Sequence, residues 1–206
     1  MKFTLGLKKN MTQVFDEKGT VHPVTVVTLG KTVVTQVKTN EKDGYNGVQI
    51  GFGDRKAKNI NKPLKGHLKE LGNFMFLREF RVSAEIANSY KVGDAIDPSI
   101  FVDGDKVEVS AVSKGKGFQS VIKRHGFHGG PRSHGQKHSE RAPGSISGGT
   151  RNGGRVPKGM RMAGRMGSDR VTVKNLKVIS LDKENNQIFI SGAIPGRRGT
   201  LVTIKG

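Results

Sequence analysis

The segment Ser113–Arg170 most constrains what this chain can fold into, because it offers almost nothing from which to build a hydrophobic core. It carries thirteen Lys or Arg residues against two acids, Glu140 and Asp169, and so contributes +11 of the chain's net charge of +19. Fourteen of the 29 glycines lie here, and its few large apolar residues show no sustained period. Burial cannot offset the entropy lost on ordering such a backbone. We therefore expect a partner to order this basic segment, and its charge indicates a polyanion.

The rest of the chain is suited to a folded core. The hydrophobic fraction of 33% is low for a single compact domain, but the deficit is confined to the basic segment. A chain of 206 residues is long enough for one core and one extension. The absence of cysteine excludes disulfides and thiolate zinc sites.

A membrane surface is the competing anionic partner, and the sequence disfavours it. No apolar run approaches the roughly 20 residues of a spanning helix. The basic segment also has no amphipathic stripe that could lie in a membrane interface. The first fifteen residues lack the apolar stretch and cleavage site of a secretory signal, so we expect none.

Short strands are predicted on both sides of the basic segment. Runs rich in Val and Thr suit a pleated surface, and Lys106–Val112 alternates with a period of two. The predicted strands are 2–7, 12–15, 24–29, 31–38, 45–52, 74–82, 106–112, 171–173, 176–181, 188–191 and 200–204. The spacing of the amino-terminal strands favours a small antiparallel β-barrel. The expected fold is mainly β, with a short helical insertion and a long, irregular, basic loop extension.

The helical insertion is predicted at about residues 53–73. Pro63 suits a helix start, Leu64, Leu68 and Leu71 have helical spacing, and Gly72 would end the helix. The predicted body is 1–112 plus 171–206, and the extension is 113–170. Strands on both sides make the extension an insertion into one barrel, anchored at both ends.

Two glycine patterns in the basic segment are similar to nucleotide-binding loops, but each lacks a required residue. The pattern beginning at Gly115 has Ser120 where a dinucleotide fingerprint needs Gly or Ala. The loop 149–154 is followed by Arg155 and Val156 instead of Lys and Ser or Thr. We interpret these glycines as positions where the backbone approaches another surface closely.

The histidines of the basic segment, His125, His128, His134 and His138, have spacings that could ligate a metal. Basic residues surround them, and Glu140 is the one nearby carboxylate. Because cations repel a divalent metal, we predict no metal site and expect these rings to stack on bases or donate to phosphates and 2′-hydroxyls.

Nothing in the sequence indicates catalysis. There is no cysteine and no carboxylate cluster, and Ile146 stands where a Gly-x-Ser-x-Gly elbow needs its nucleophile. We predict no enzyme activity, no cofactor and no small-molecule substrate. The alternatives to a structural RNA-binding protein are a free nucleic-acid chaperone, a DNA-binding protein and an RNA-modifying enzyme.

Ten motifs run through the chain in order from end to end. They are Gly6–Phe15, Pro23–Val26, Val34–Lys38, Asp43–Tyr45, Val112–Phe118, His134–Gly135, Arg141–Ile146, Lys158–Gly167, Arg170–Val173 and Gly192–Gly196. Together they resemble the family of universal large-subunit ribosomal protein three in its bacterial form.

The resemblance implies a β-barrel body near the subunit surface and an extension running into large-subunit (23S) rRNA towards the peptidyl transferase centre. It also implies direct rRNA binding, a role in early subunit assembly, contacts with neighbouring ribosomal proteins, and a cytoplasmic location in the ribosome. Some bacterial relatives carry a methylated glutamine near the tip of the extension. Because no glutamine occurs between Ser139 and Asp169, that modification is not expected here.

The predicted RNA-binding residues are the cations and histidines of the extension. They are Lys114, Lys116, Lys123, Arg124, His125, His128, Arg132, His134, Lys137, His138, Arg141, Arg151, Arg155, Lys158, Arg161 and Arg165. The predicted tip comprises Ser145, Gly148, Gly149, Thr150, Arg151, Asn152 and Gly153. Arginine forks suit bidentate phosphate contacts, and irregular, glycine-rich chains fit crevices of folded RNA better than a uniform groove.

Hydrogen exchange of the free protein tests whether a partner orders the extension. We expect strong amide protection in the barrel strands and almost none from Lys123 to Gly167 without RNA, because the extension has little apolar surface to bury. Mass spectrometry or NMR measures both regions in one sample. Equal protection in the two regions would show that the extension needs no partner to be ordered.

Overall fold

Eleven strands and four helices form the fold within residues 1–69, 71–147 and 153–206, the part of the chain that the computed structural model describes. The strands are β1 (Phe3–Phe15), β2 (Val21–Leu29), β3 (Thr32–Lys38), β4 (Gly47–Asp54), β5 (Phe74–Arg81), β6 (Lys106–Val112), β7 (Gly117–Gln119), β8 (Gly164–Met166), β9 (Arg170–Asp182), β10 (Gln187–Ser191) and β11 (Leu201–Lys205). The helices are α1 (Asn40–Asp43), α2 (Lys62–Leu68), α3 (Ala84–Ser89) and α4 (Val121–His125), with 3-10 turns at Ala57–Asn59 and Pro98–Ile100.

Six of the strands close into an antiparallel barrel in the order β1-β11-β6-β9-β10-β2, which the pairing of β1 with β2 completes. Alternate residues of β10 and β11 are buried, and Ile188, Ile190, Val202 and Ile204 are completely inaccessible to solvent. This period of two is what a strand with one face on a core requires. The predicted mainly-β fold with a small antiparallel barrel is confirmed.

A separate antiparallel sheet, β3-β4-β5, holds the remaining strands of the amino-terminal half. The spacing of the amino-terminal strands favoured a single barrel, whereas the structure places only β1 and β2 of the first five strands in it. Val34, Val48, Ile50 and Phe80 from the second sheet form a core with Phe3 of β1. Periodicity predicts that a strand has a buried face, but it does not say which sheet covers that face.

Two pairs of predicted strands are each one continuous strand in the structure. The predicted strands 2–7 and 12–15 are both parts of β1, whose pairing with β2 shifts register between Lys8 and Met11. The predicted strands 171–173 and 176–181 are both parts of β9, and its pairing with β6 also shifts register. An extra residue in a strand breaks the sequence alternation without ending the strand.

The predicted short helix in the insertion is confirmed as α2, with Pro63 in its first turn. The helix ends at Leu68, earlier than the leucine spacing indicated. Lys69 has a φ of 47°, so the backbone leaves the helical region before Leu71. Leu71 still packs against the cluster of Val33, Leu68 and Phe74. The helical spacing of the three leucines therefore indicates which residues are wholly or partly buried, and not how long the helix is.

The chain leaves the barrel at Val112 and re-enters it at Arg170, and these two residues are register partners in the β6–β9 pair. Residues Ser113–Asp169 form a unit of their own, called here the basic unit, and the remainder forms the barrel unit. The basic unit contains β7, β8 and α4, so it is less irregular than the sequence indicated. Among its described residues only Val121 is buried. No helix in the described part of the chain is long and apolar enough to cross a membrane.

Truncation of Phe3 tests the core between the barrel and the second sheet. The Phe3 ring is completely buried and stacks on Phe80 at a centroid distance of 4.5 Å. We expect Phe3→Ala to lower the free energy of unfolding by about 3–5 kcal/mol, measured by urea denaturation. Phe15→Ala is the control, because Phe15 lies on the same strand but is 59% exposed. Similar losses in the two variants would contradict this assignment of the core.

Candidate nucleic-acid interface

The two ends of the basic unit run side by side in antiparallel directions. The Ser113 N–H donates to the Asp169 carbonyl at 2.8 Å, and the Lys116 N–H donates to the Met166 carbonyl at 2.9 Å. Beyond these bonds β7 pairs with β8, with Phe118 opposite Arg165. A paired backbone therefore carries Lys114, Lys116 and Arg165, cations that the sequence assigned to an irregular loop.

Gly167 permits this close pairing. Its φ is +76°, and a Cβ atom there would lie 2.3 Å from the Lys114 carbonyl oxygen and 3.0 Å from the Lys116 nitrogen. Only glycine fits a left-handed conformation with another backbone at that distance. The glycines of the basic unit thus serve in part to bring its own two halves together, whereas their sequence patterns predicted only contacts with another surface.

Helix α4 connects segments of the basic unit that are distant in sequence. The Ser120 hydroxyl caps the helix and donates to the Arg141 carbonyl at 3.0 Å, and Val121 is buried. Gly126 ends the helix in the left-handed conformation. The last turn contains the cations Lys123 and Arg124, which is the favourable end of the helix dipole for positive charge.

Two neighbouring predicted RNA-binding residues, Arg124 and His125, contact the same carbonyl oxygen inside the protein. The Arg124 guanidinium donates to the Met162 carbonyl at 2.9 Å, and a ring nitrogen of His125 lies 3.2 Å from the same oxygen. His125 is partly buried and lies 6.2 Å, centroid to centroid, from the Phe127 ring. These contacts hold the two halves of the unit together. Arg124 keeps further N–H donors for another ligand, because a guanidinium has five.

A second turn of the unit brings Gly129 and Gly130 against Ser139 and Glu140. The Gly130 N–H donates to the Glu140 carbonyl at 3.1 Å, and a Cβ on Gly129 would lie 2.3 Å from that oxygen. The Arg132 guanidinium pairs with the Glu140 carboxylate at 2.8 Å. An open groove of about 530 Å³ lies beside this turn. Four of its nine lining residues are glycines, and Phe127, His128, Ser139, Ala142 and Pro143 line the rest.

The four histidines do not come together as metal ligands. Within the described residues, no three His, Asp or Glu side chains form a group that could hold a metal ion. His128, His134 and His138 are exposed, and His134 has a φ of 57°.

The predicted phosphate-binding cations are exposed throughout the described part of the basic unit. They are Lys114, Lys116, Lys123, Arg124, Arg132, Lys137, Arg141, Arg155, Lys158, Arg161 and Arg165. Arg151 and four predicted tip residues, Gly148, Gly149, Thr150 and Asn152, lie outside the described residues. The other two tip residues, Ser145 and Gly153, are exposed.

Within the described residues, the Arg132–Glu140 pair is the one ion pair of the basic unit. The barrel unit differs, because several of its lysines have carboxylate partners: Lys2 with Asp105, Lys38 with Glu79 and Lys205 with Glu108. The Glu79 carboxylate accepts a hydrogen bond from Lys38 at 2.7 Å and, with the Tyr45 hydroxyl, raises the pKa of Lys38. Positive charge is thus partly neutralised in the barrel unit and nearly unopposed in the basic unit.

Two features of the candidate interface were absent from the predicted site residues. Phe118 is 77% exposed, although it lies in a paired strand. An aromatic face left in solvent beside cations is suited to stacking on a base. The second feature is a row of lysines in the insertion, whose charge was visible in the sequence but whose arrangement required the fold.

Fold and charge together define the class: a β-barrel protein with an inserted cationic, glycine-rich unit that has few acids of its own. Residues 84–188 match the model of the family described as ribosomal protein L3. Relatives named large ribosomal subunit protein uL3 occur in Herpetosiphon aurantiacus and Streptomyces coelicolor. The first is 51% identical over 97% of this chain and 93% of the relative. The second is 51% identical over 100% of this chain and 95% of the relative. Another in Dehalococcoides mccartyi is 50% identical, covering 98% of this chain and 96% of that protein. The chain belongs to the ribosomal protein L3 family.

Family membership confirms two expectations from the sequence. The chain is a structural ribosomal protein and not an enzyme. Its place is the ribosome, in the bacterial cytoplasm. The predicted RNA-binding residues and the tip remain predictions.

Proposed function

We propose that this chain is a component of the large ribosomal subunit that binds 23S rRNA directly through its basic unit, supports early subunit assembly, and extends towards the peptidyl transferase centre. The observation that carries the proposal is the exposed, nearly unopposed positive charge of the basic unit. Its described residues include eleven Lys or Arg, all exposed, against the acids Glu140 and Asp169. The relatives' name, large ribosomal subunit protein, supports rRNA as the polyanion.

Phosphate neutralisation is the main source of affinity in this proposal. Each phosphate that a Lys or Arg neutralises releases condensed counterions, which favours binding and makes it depend strongly on salt. The same charges repel one another in the free protein, and RNA binding removes that repulsion. The polyanion thereby offsets the entropy lost when this unit, whose described residues include one buried side chain, Val121, becomes fixed.

Three further features of the basic unit favour folded RNA as the ligand. Arginine forks such as Arg155 and Arg161 suit bidentate phosphate contacts in crowded junctions. Phe118 offers an exposed ring to an unstacked base. The groove beside Phe127 is lined in part by glycines, and at these positions an RNA strand can approach the backbone closely.

The assembly role follows from binding at several points of one rRNA. A unit whose ends are both attached to a barrel loses less entropy on binding than a free tail of equal length. Cations spread along such a unit can neutralise phosphates where distant rRNA segments converge, which stabilises the compact RNA. The proposed direction towards the peptidyl transferase centre rests on the resemblance of the motifs. The expected contacts with neighbouring ribosomal proteins rest on it as well.

The salt dependence of rRNA binding tests the role of the basic unit. We expect the variant Lys123→Gln, Arg155→Gln, Arg161→Gln to bind in-vitro-transcribed bacterial 23S rRNA with a log–log salt slope smaller by about 2 to 3, since each phosphate contributes about 0.7–0.9. Filter binding across a KCl series measures the slope. The control removes the same charge from exposed positions of the barrel unit, Lys18→Gln, Lys42→Gln, Lys183→Gln, and should leave the slope nearly unchanged. Deletion of residues 126–161 with no effect on either rRNA affinity or subunit assembly would overturn the proposal.

Directed cleavage of rRNA tests where the tip lies. Because the chain has no cysteine, Ser145→Cys gives one attachment point for an iron–EDTA probe, and Ser145 is exposed. In reconstituted large subunits we expect hydroxyl radicals from this position to cleave 23S rRNA in the peptidyl transferase region. Glu17→Cys, in an exposed turn of the barrel unit, is the control and should cleave elsewhere. Cleavage by the Ser145 probe that avoids the peptidyl transferase region would refute the proposed direction.

A further inference from the structure

The insertion between β4 and β5 carries a second concentration of positive charge, in the barrel unit. Six cations lie between Asp54 and Phe74, and all are exposed: Arg55, Lys56, Lys58, Lys62, Lys65 and Lys69. Within the described residues, none of them lies within 4.0 Å of a carboxylate oxygen. The insertion thus has the charge pattern of the basic unit, in a part of the chain with a different kind of structure.

Helix α2 separates these charges from its apolar side chains. Successive helical residues are about 100° apart, so Leu64 and Leu68 share one face, while Lys62 lies on the other side of the helix and Lys65 at the edge of the leucine face. Leu68 is 1% exposed and both lysines are exposed. Lys69 follows directly as the residue that ends the helix, and its N–H donates to the Lys65 carbonyl at 2.9 Å. The three lysines therefore form a row along the solvent side of the insertion.

The lysine row has an ordered base. Leu68 packs with Val33 and Phe74, and a ring nitrogen of His67 lies 2.8 Å from the Gln49 side-chain oxygen on β4. The Arg55 N–H donates to the Asn73 carbonyl at 2.8 Å, which closes the insertion where it leaves the sheet. Since the backbone is already fixed, a ligand that binds this face does not have to order it.

Helix stability does not account for these lysines. Like charges three or four residues apart on a helix destabilise it. Lys65 lies in the last turn, where the helix dipole favours positive charge, but Lys62 lies in the first turn, where the dipole opposes it and no acid is present. A set of charges that repel one another on a rigid face indicates an anionic partner outside the chain.

We propose that the row of Lys62, Lys65 and Lys69 is a second rRNA-backbone site, separate from the basic unit, which neutralises a run of phosphates by surface contact. Lys58 and Arg55, which are also exposed, add to the positive charge of the insertion. The inference deepens the proposed function and rests on it, because the phosphates are those of the rRNA that the basic unit binds. Lysines act here as point charges without base recognition, so this site contributes affinity and orientation and not sequence specificity.

Two variants of the full-length protein test this inference with in-vitro-transcribed bacterial 23S rRNA as the probe. Lys62→Gln, Lys65→Gln, Lys69→Gln removes the row, and Lys18→Gln, Lys42→Gln, Lys183→Gln removes equal charge elsewhere in the barrel unit. We expect the first variant to lower the log–log salt slope by about 2 to 3 and the second to leave it nearly unchanged. An unchanged slope in the first variant, with normal binding by the wild-type protein, would overturn this inference and leave the proposed function standing. Failure of the wild-type protein to bind the rRNA would overturn both.

Lysine acetylation of the wild-type protein gives an independent measurement that does not depend on how a variant folds. Mass spectrometry compares the reactivity of Lys62, Lys65 and Lys69 in the free protein and in the complex with 23S rRNA. We expect at least tenfold protection of all three in the complex and little change at Lys18 and Lys42. Protection that appears only in the intact large subunit, and not with rRNA alone, would assign the row to an acidic protein neighbour and contradict an RNA site.

Discussion

The two-sided burial of strand β1 is the constraint on which the barrel unit depends. Phe3 and Leu5 pack against the second sheet, while Gly6, on the other face, lies so close to β2 that a Cβ would meet a Val27 methyl at 2.5 Å. One strand thus belongs to the barrel and also to the core that joins the barrel to the β3-β4-β5 sheet. Loss of β1 would expose both cores at once, since hydrophobic burial is the dominant favourable term in folding.

The two connections between the barrel unit and the basic unit lie at one strand pair of the barrel. Val112 and Arg170 are register partners, so the chain enters and leaves the basic unit at neighbouring positions of one strand pair. The antiparallel pairing continues inside the unit, from Ser113 with Asp169 to the β7–β8 pair. This arrangement lets a segment whose described residues bury only Val121 keep a defined backbone at its two ends. Hydrogen bonds between the two ends and the close backbone contact at Gly167 fix that backbone.

The distribution of charge separates structural cations from cations available to a ligand. Lys2, Lys38 and Lys205 have carboxylate partners in the barrel unit, and such pairs reduce the local charge. Arg124 combines the two roles, since it links two halves of the basic unit and is still exposed to a ligand. The sequence does not distinguish among the cations of the basic segment, because the partner of a side chain depends on contacts between residues far apart in the chain. Arg124 bonds to a carbonyl 38 residues away.

The sequence by itself determined the mainly-β fold, the short helix near Pro63 and the concentration of unopposed charge between Ser113 and Arg170. These follow from composition and local periodicity, which act over a few residues. The tertiary structure decided which strands close the barrel, where the insertion helix ends, and how the two ends of the extension pair. It also gave the lysine row beside Leu68 an ordered base. Those features depend on long-range contacts and backbone conformations such as that of Lys69, and no local pattern encodes them. The basic segment is thus a polycation by sequence alone, but its ordered backbone at both ends is a product of the fold.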